Sequence, residues 1–239
     1  MHKDVLVLFA FLVIATPFAL FFLLRNFREK ASQDSEVSSK GSMKNLAKFS
    51  GSNSLIGLGA GFIIPLIATW LGLKFGITDN YSGPLLAVSS ITIGLSALLS
   101  PRMSRRFGIV RAIVINQGLS TIFMISLAFV TGPIIAASLY VVRAALMNMS
   151  SPLSDSFLMG LVPRERRGLA SAINSVIWRL PNSVTTIIGG AILASGNYSL
   201  PFELATLFYV IAISLFYMFF RNFEVPRSEI FGGSVSAPN

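Results

Sequence analysis

Two arginines stand inside long apolar runs. Arg143 falls within a run from about Pro133 to Val162, and Arg179 within one from about Leu169 to Ser195. A guanidinium is a permanent cation with five N–H donors in a planar fork, a shape suited to carboxylate, phosphate and other oxygen-rich groups. If these runs are helices crossing a hydrocarbon layer, each arginine lies about ten residues, or ~15 Å, from one end. A charge at that depth costs ~2.5–3.5 kcal/mol on insertion scales, so each should face a polar cavity or a partner. The spacing agrees. Tyr140, Arg143, Met147, Ser150 and Ser154 share one helical face, and Ser175, Arg179, Ser183 and Thr186 share another. Pro152 and Pro181 interrupt the two stripes and mark candidate bending points.

Two chemistries fit this pattern. In the first, Arg143 and Arg179 bind an anionic or strongly polar small molecule through charge-assisted hydrogen bonds, with Tyr140, Met147, Ser150 and Ser183 beside them. In the second, each arginine pairs with an acid or a backbone carbonyl, on this chain or another. Asp155 lies twelve residues beyond Arg143, or about 18 Å along a helix, towards the end where Arg102, Arg105 and Arg106 cluster. A carboxylate there could latch onto those arginines and release them when a cavity opens, or it could simply be solvated. These four residues are the gating candidates.

No enzyme constellation accompanies them. His2 is the single histidine and lies at the terminus; there is no cysteine, which excludes disulfides, thiolate metal sites and cysteine nucleophiles. No metal-ligand spacing or phosphate-binding loop occurs. Gly57-x-Gly59-x-Gly61 is not a dinucleotide fingerprint, because no strand precedes it; small residues there suit close helix packing. The expectation is a protein that is not an enzyme and uses no cofactor.

The elements that must position these residues follow from hydropathy. Of 239 residues, 53% are hydrophobic and 12% charged, whereas a soluble domain carries roughly 25% charged residues. Seven segments are long and apolar enough to cross a bilayer: Val5–Leu24, Phe49–Leu73, Ser82–Pro101, Ala112–Val130, Pro133–Val162, Leu169–Ser195 and Pro201–Phe220. The expected fold is therefore an all-α integral membrane protein of seven transmembrane helices. Residues 1–25 form a leading helix, which is too long and too basic at its end to read as a cleaved signal peptide. Residues 26–48 form a linker, whose serine-rich stretch Lys30–Ser42 is too polar to bury a core. Residues 49–223 form a group of six helices, and 224–239 a disordered tail.

The net charge of +9 invites a nucleic-acid reading, but the positions of the charges oppose it. Fifteen of the 19 Lys and Arg residues fall in alternate connections between spans and in the tail, two (Lys3 and Lys74) fall on the other side, and two are the arginines within spans. That asymmetry is a topology signal. It predicts a multi-pass protein of the cell membrane, with the N-terminus outside and the C-terminus cytoplasmic. The expected partners are the lipid bilayer and a small solute, and no nucleic acid.

Three stretches extend this reading. Ser100–Ala112 (SPRMSRRFGIVRA) resembles the second-half copy of the loop between the second and third helices of the major facilitator superfamily. Arg106-Phe107-Gly108 and Arg111 match that pattern, while Pro101 and Arg105 stand where the family has a glycine and an acid. Val162–Ile173 (VPRERRGLASAI) is similar to the Pro-x-Glu-x-Arg-Gly connection before the family's eleventh helix. Gly57–Leu71 (GLGAGFIIPLIATWL) looks like its seventh. The resemblance implies helices six to twelve, the last six forming a C-terminal half. It also implies secondary transport of a small solute, drug-like or anionic, by alternating access and driven by a proton or ion gradient; efflux is one direction such a permease could take. With five helices fewer than the family pattern, it implies a partial or split carrier that works with a separate N-terminal half chain. The alternative is a non-transporting remnant or an auxiliary subunit.

Overall fold

A computed structural model describes residues 39–77 and 79–223, and every regular element among them is helical. The predicted leading helix, most of the linker and the predicted tail lie outside the described residues.

Helix α1 (Ser39–Gly61) begins about ten residues before the predicted start of its span. It gives way to a 3₁₀ turn at Ile64–Leu66, after which α2 (Ile67–Phe75) completes the crossing. Pro65 explains the break: it has no N–H to give the carbonyl of Gly61, so the α-helical ladder stops there. Gly76 ends α2 with a φ of +67°, a conformation cheap only for glycine.

Next come α3 (Asp79–Ala97) and α4 (Ser100–Phe107), with a 43° bend between them. Gly108, at φ +79°, turns the chain into α5 (Ile109–Phe129). The predicted span at Arg143 is two helices, α6 (Pro133–Met149) and α7 (Ser151–Leu161), joined at Ser150. Pro152 just beyond cannot donate to the carbonyl of Asn148, so this predicted bending point coincides with a break. Pro181 does not interrupt α8 (Arg167–Ala194). Helix α9 (Leu200–Phe220) completes the group. Among the described residues, five helical segments are long and apolar enough to cross a membrane, or six when bent α3–α4 is one span. They correspond to the last six predicted spans.

Helix α1 packs between α8 and α9; α5 lies against α9 and α6, and α6 against α3. Lipid tails are as apolar as leucine, so helices in a bilayer associate by close packing and interhelical hydrogen bonds. The α1–α8 contact uses both. A side chain at Gly57 would meet the Trp178 backbone carbonyl, one at Gly61 would meet Asn182 and Thr185, and one at Gly189 would meet the Phe62 carbonyl. The backbones therefore approach closely enough for Thr185 Oγ1 to donate to the Leu58 carbonyl (2.8 Å) and Asn182 Nδ2 to that of Gly57 (3.2 Å). The Gly-x-Gly-x-Gly stretch is thus a packing device.

Two apolar cores stack along the bundle. One, around Ile63, Trp70, Met124 and Phe202, lies towards the end where Trp70 Nε1 donates to the Tyr198 carbonyl at 2.9 Å. The other, around Phe49, Phe157, Phe216 and Phe220, lies towards the opposite end. On α1, α5 and α6 the residues between the cores are polar and buried: Ser50 and Ser52, then Asn116, Gln117, Ser120 and Thr121, then Arg143 and Ser150. The outer surface is strongly apolar, with Ile134 80%, Ile187 76% and Leu98 73% exposed. Such side chains are stable facing lipid.

Candidate functional site

The polar belt opens into a cleft of about 530 Å³. Helix α1 supplies Asn53 and Ile56, and α5 supplies Gln117. The α6–α7 hinge supplies Arg143, Met147, Asn148, Ser150, Ser154 and Asp155; α8 supplies Asn174, Ser175, Trp178, Arg179 and Asn182; α9 supplies Tyr209. Most of the walls are neutral. The charged groups are two guanidiniums and one carboxylate, a formal excess of one positive charge.

Arg143 is the best-positioned of these. It is only 3% exposed, and its Nη2 donates to the Tyr209 hydroxyl at 2.7 Å. Its guanidinium carbon lies 5.6 Å from the centre of the Tyr209 ring, within cation–π range. Its backbone is fixed as well, because Ser120 Oγ on α5 donates to the Arg143 carbonyl at 3.0 Å. Yet its Nε is buried with no partner, and among the described residues no ion pair reaches it. A buried cation bonded only to a neutral phenol keeps its charge and an N–H donor that an acceptor group could use.

Arg179, on α8, lines the same cleft and is exposed. Its backbone carbonyl accepts from Ser183 Oγ at 3.0 Å, which spends that hydroxyl on its own helix. Ser183 is exposed but outside the cleft lining. Tyr140 also lies off the lining, 8% exposed and packed into the core around Trp70. Met147 and Ser150 do line the cleft; Ser150 Oγ donates to the Met147 carbonyl at 2.6 Å and accepts from Gln117 Nε2 at 3.4 Å. The structure thus brings Arg143, Arg179, Met147 and Ser150 together.

Asp155 lines the same cleft, beside Ser151, Ser154 and Asn174. Arg102 and Arg105 line a separate crevice with Leu95, Leu98, Leu99 and Pro101. Among the described residues no ion pair joins Asp155 to Arg102 or Arg106. Arg106 instead lies over the Phe107 ring, 5.4 Å from its centre.

Sequence reasoning missed the amides. Asn53 Nδ2 donates to Asn174 Oδ1 at 3.1 Å, bridging α1 and α8 across the cleft floor, and Gln117 and Asn182 complete the polar walls. The available signal was an amide inside an apolar span, which is costly in hydrocarbon and therefore marks a packed or wet face. The spacing around the arginines drew attention to α6 and α8 and away from α1 and α5. Among the described residues no cluster of His, Asp or Glu could hold a metal ion.

A family model described as Major Facilitator Superfamily matches residues 49–234. No curated protein sequence matches the chain.

Proposed function

The chain belongs to the Major Facilitator Superfamily, a family of membrane transporters, and we propose that its cleft binds a small organic anion during secondary transport. The observation that carries this reading is the state of Arg143: a buried guanidinium, bonded to a neutral hydroxyl, with an unpartnered Nε beside an open cleft. Arg179 in the same cleft supplies a second positive group, and the solute's anionic oxygens bridge the two. A drug-like cation fits this electrostatic field less well. The cleft is wider than a phenol–guanidinium pair needs, and its amides and serines provide the neutral hydrogen-bonding walls that fix orientation.

In this reading the described helices are the C-terminal half of the family fold. Their cleft faces a second group of helices, and the site alternates between the two membrane faces as the halves rock. The polar cleft supports such a covering surface, because Arg179, Asn174 and Ser175 would otherwise meet hydrocarbon. The charge asymmetry along the sequence supports placing the Arg102–Arg111 and Arg164–Arg167 ends in the cytoplasm. Asp155, near that end, then acts as an inner gate that repels anions or exchanges partners as the cleft opens.

Uptake of a panel of organic anions into proteoliposomes tests this, with the chain alone, with a companion chain supplying the other helices, and with Arg143→Ala. Anion uptake abolished by Arg143→Ala carries the proposal. Folded, inserted protein that moves no anion in any combination favours an auxiliary or non-transporting role.

A further inference from the structure

A second site lies outside the cleft, at the α3–α4 elbow. The last turn of α3 and the two residues that follow it expose Leu95 (61%), Leu98 (73%) and Leu99 (46%). The chain then bends by 43°, and α4 places Pro101, Arg102 and Arg105 across from those leucines. The concave angle encloses an open crevice of about 650 Å³, apolar along one wall and basic at its rim.

Helix α4 is seated by its small and apolar side chains. Its inward face is Ser100, Met103 and Ser104: Ser100 Oγ donates to the Met149 carbonyl at 2.5 Å, Met103 packs against the Phe157 core, and Ser104 is buried. At 100° per residue the opposite face receives Arg102, Arg105 and Arg106, and all three are exposed. Arg111, one turn into α5, is exposed at the same end. Between Gly83 and Pro163 the sole acidic residue is Asp155, and it lines the cleft. An exposed basic rim beside an exposed apolar wall presents a positive field to anything seated in the crevice.

We propose that the elbow binds an anionic phospholipid, its headgroup on Arg102, Arg105 and Arg106 and an acyl chain along Leu95, Leu98 and Leu99. A free phosphate would use the rim but would gain nothing from the leucines. An amphiphile matches both walls, and a bilayer supplies it at the depth where an apolar wall gives way to a basic one. This site is independent of what the cleft carries.

The absence of cysteine allows a single reporter. Leu98→Cys, labelled with a fluorophore, is reconstituted as full chain in phosphatidylcholine vesicles containing nitroxide-labelled phosphatidylglycerol or nitroxide-labelled phosphatidylcholine. The anionic lipid is expected to quench at a mole fraction about fivefold or more lower, the order expected from roughly 1 kcal/mol per basic residue near the surface. The preference should weaken in high salt and disappear in R102Q/R105Q/R106Q. It should persist in R102K/R105K/R106K, which keeps the charge, and in Arg221→Gln, which removes a cation elsewhere. Added inorganic phosphate should leave it unchanged. Equal quenching by the two lipids, a preference surviving the triple glutamine variant, or its abolition by inorganic phosphate would each overturn the proposal. Circular dichroism of the reconstituted variants guards against reading a misfolded chain as a lost site.

Discussion

Tyr209 on α9 holds Arg143 on α6 from two directions at once: its hydroxyl accepts from Nη2 at 2.7 Å, and its ring lies 5.6 Å from the guanidinium carbon. The arginine is thereby oriented without being neutralised. An acid in that position would have cancelled the charge and closed the site. A phenol leaves the charge available and spends one donor.

Tyr209→Phe should therefore separate stability from charge. It keeps the ring but leaves a buried donor of a charged group unpaired, which costs about 1–3 kcal/mol. The expected result is a lower melting temperature in detergent and weakened, still measurable, anion binding. Arg143→Ala should abolish binding. Tyr217→Phe, on an exposed residue of the same helix, should change neither. If Tyr209→Phe melts like the parent, the hydrogen bond is not holding the arginine.

Arg179 predicts the opposite pairing of effects. It is exposed on the cleft wall, and among the described residues its side chain is not tied to a neighbour. Arg179→Ala should leave the melting temperature near that of the parent. Anion affinity should fall by about tenfold or more, the order expected for a charged hydrogen bond. Arg179→Lys should recover part of that, because it keeps the charge but not the planar fork. Isothermal titration with a transported anion reads both.

Asp155 is the one carboxylate in a cleft that otherwise carries two cations. Asp155→Asn removes repulsion while keeping the shape, so the cleft should bind anions several-fold more tightly. Transport need not improve, since a solute held more firmly at the inner end leaves more slowly. Equilibrium binding and initial uptake rates, measured on the same preparation, distinguish the effects. Unchanged affinity with lost transport would show that Asp155 acts on the moving helices and not on the solute.

Much of this architecture was legible because the bilayer leaves few options. A run near 20 apolar residues must be a helix, and the last six predicted spans match helices or helix pairs in the structure. Arg143, Met147 and Ser150 were legible as a stripe because α6 is regular up to Ser150. Tyr140 shares their face but sits one turn deeper in the Trp70 core, where neighbouring helices close over it. Ser183 shares the Arg179 stripe, but the cleft ends before reaching it. The partners were not legible. Periodicity tells which residues of one helix share a face. It does not tell which face of another helix they meet, so Tyr209 and the Asn53–Asn174 bridge emerge only from the fold.

The α1–α8 contact yields a prediction in which position matters more than residue type. A methyl at Gly61 would meet the Asn182 backbone of α8, and one at Gly189 the Phe62 backbone just past α1, and backbone cannot swing aside as a flexible side chain can. Gly61→Ala and Gly189→Ala should each force α1 and α8 apart. The expected cost is about 1–3 kcal/mol of overpacking, with the Thr185–Leu58 and Asn182–Gly57 hydrogen bonds stretched as well. Gly190, the next residue along α8, has open space where its Cβ would go, so Gly190→Ala should be neutral or slightly stabilising through its better helix propensity. Thermal unfolding in detergent should therefore place Gly190→Ala at or above the parent and both other variants clearly below it. Because α1 and α8 also form two walls of the cleft, the damaging variants should lose anion affinity even where they remain folded. Equal behaviour of Gly189→Ala and Gly190→Ala would mean that the close approach of the two helices is not what holds this pair together.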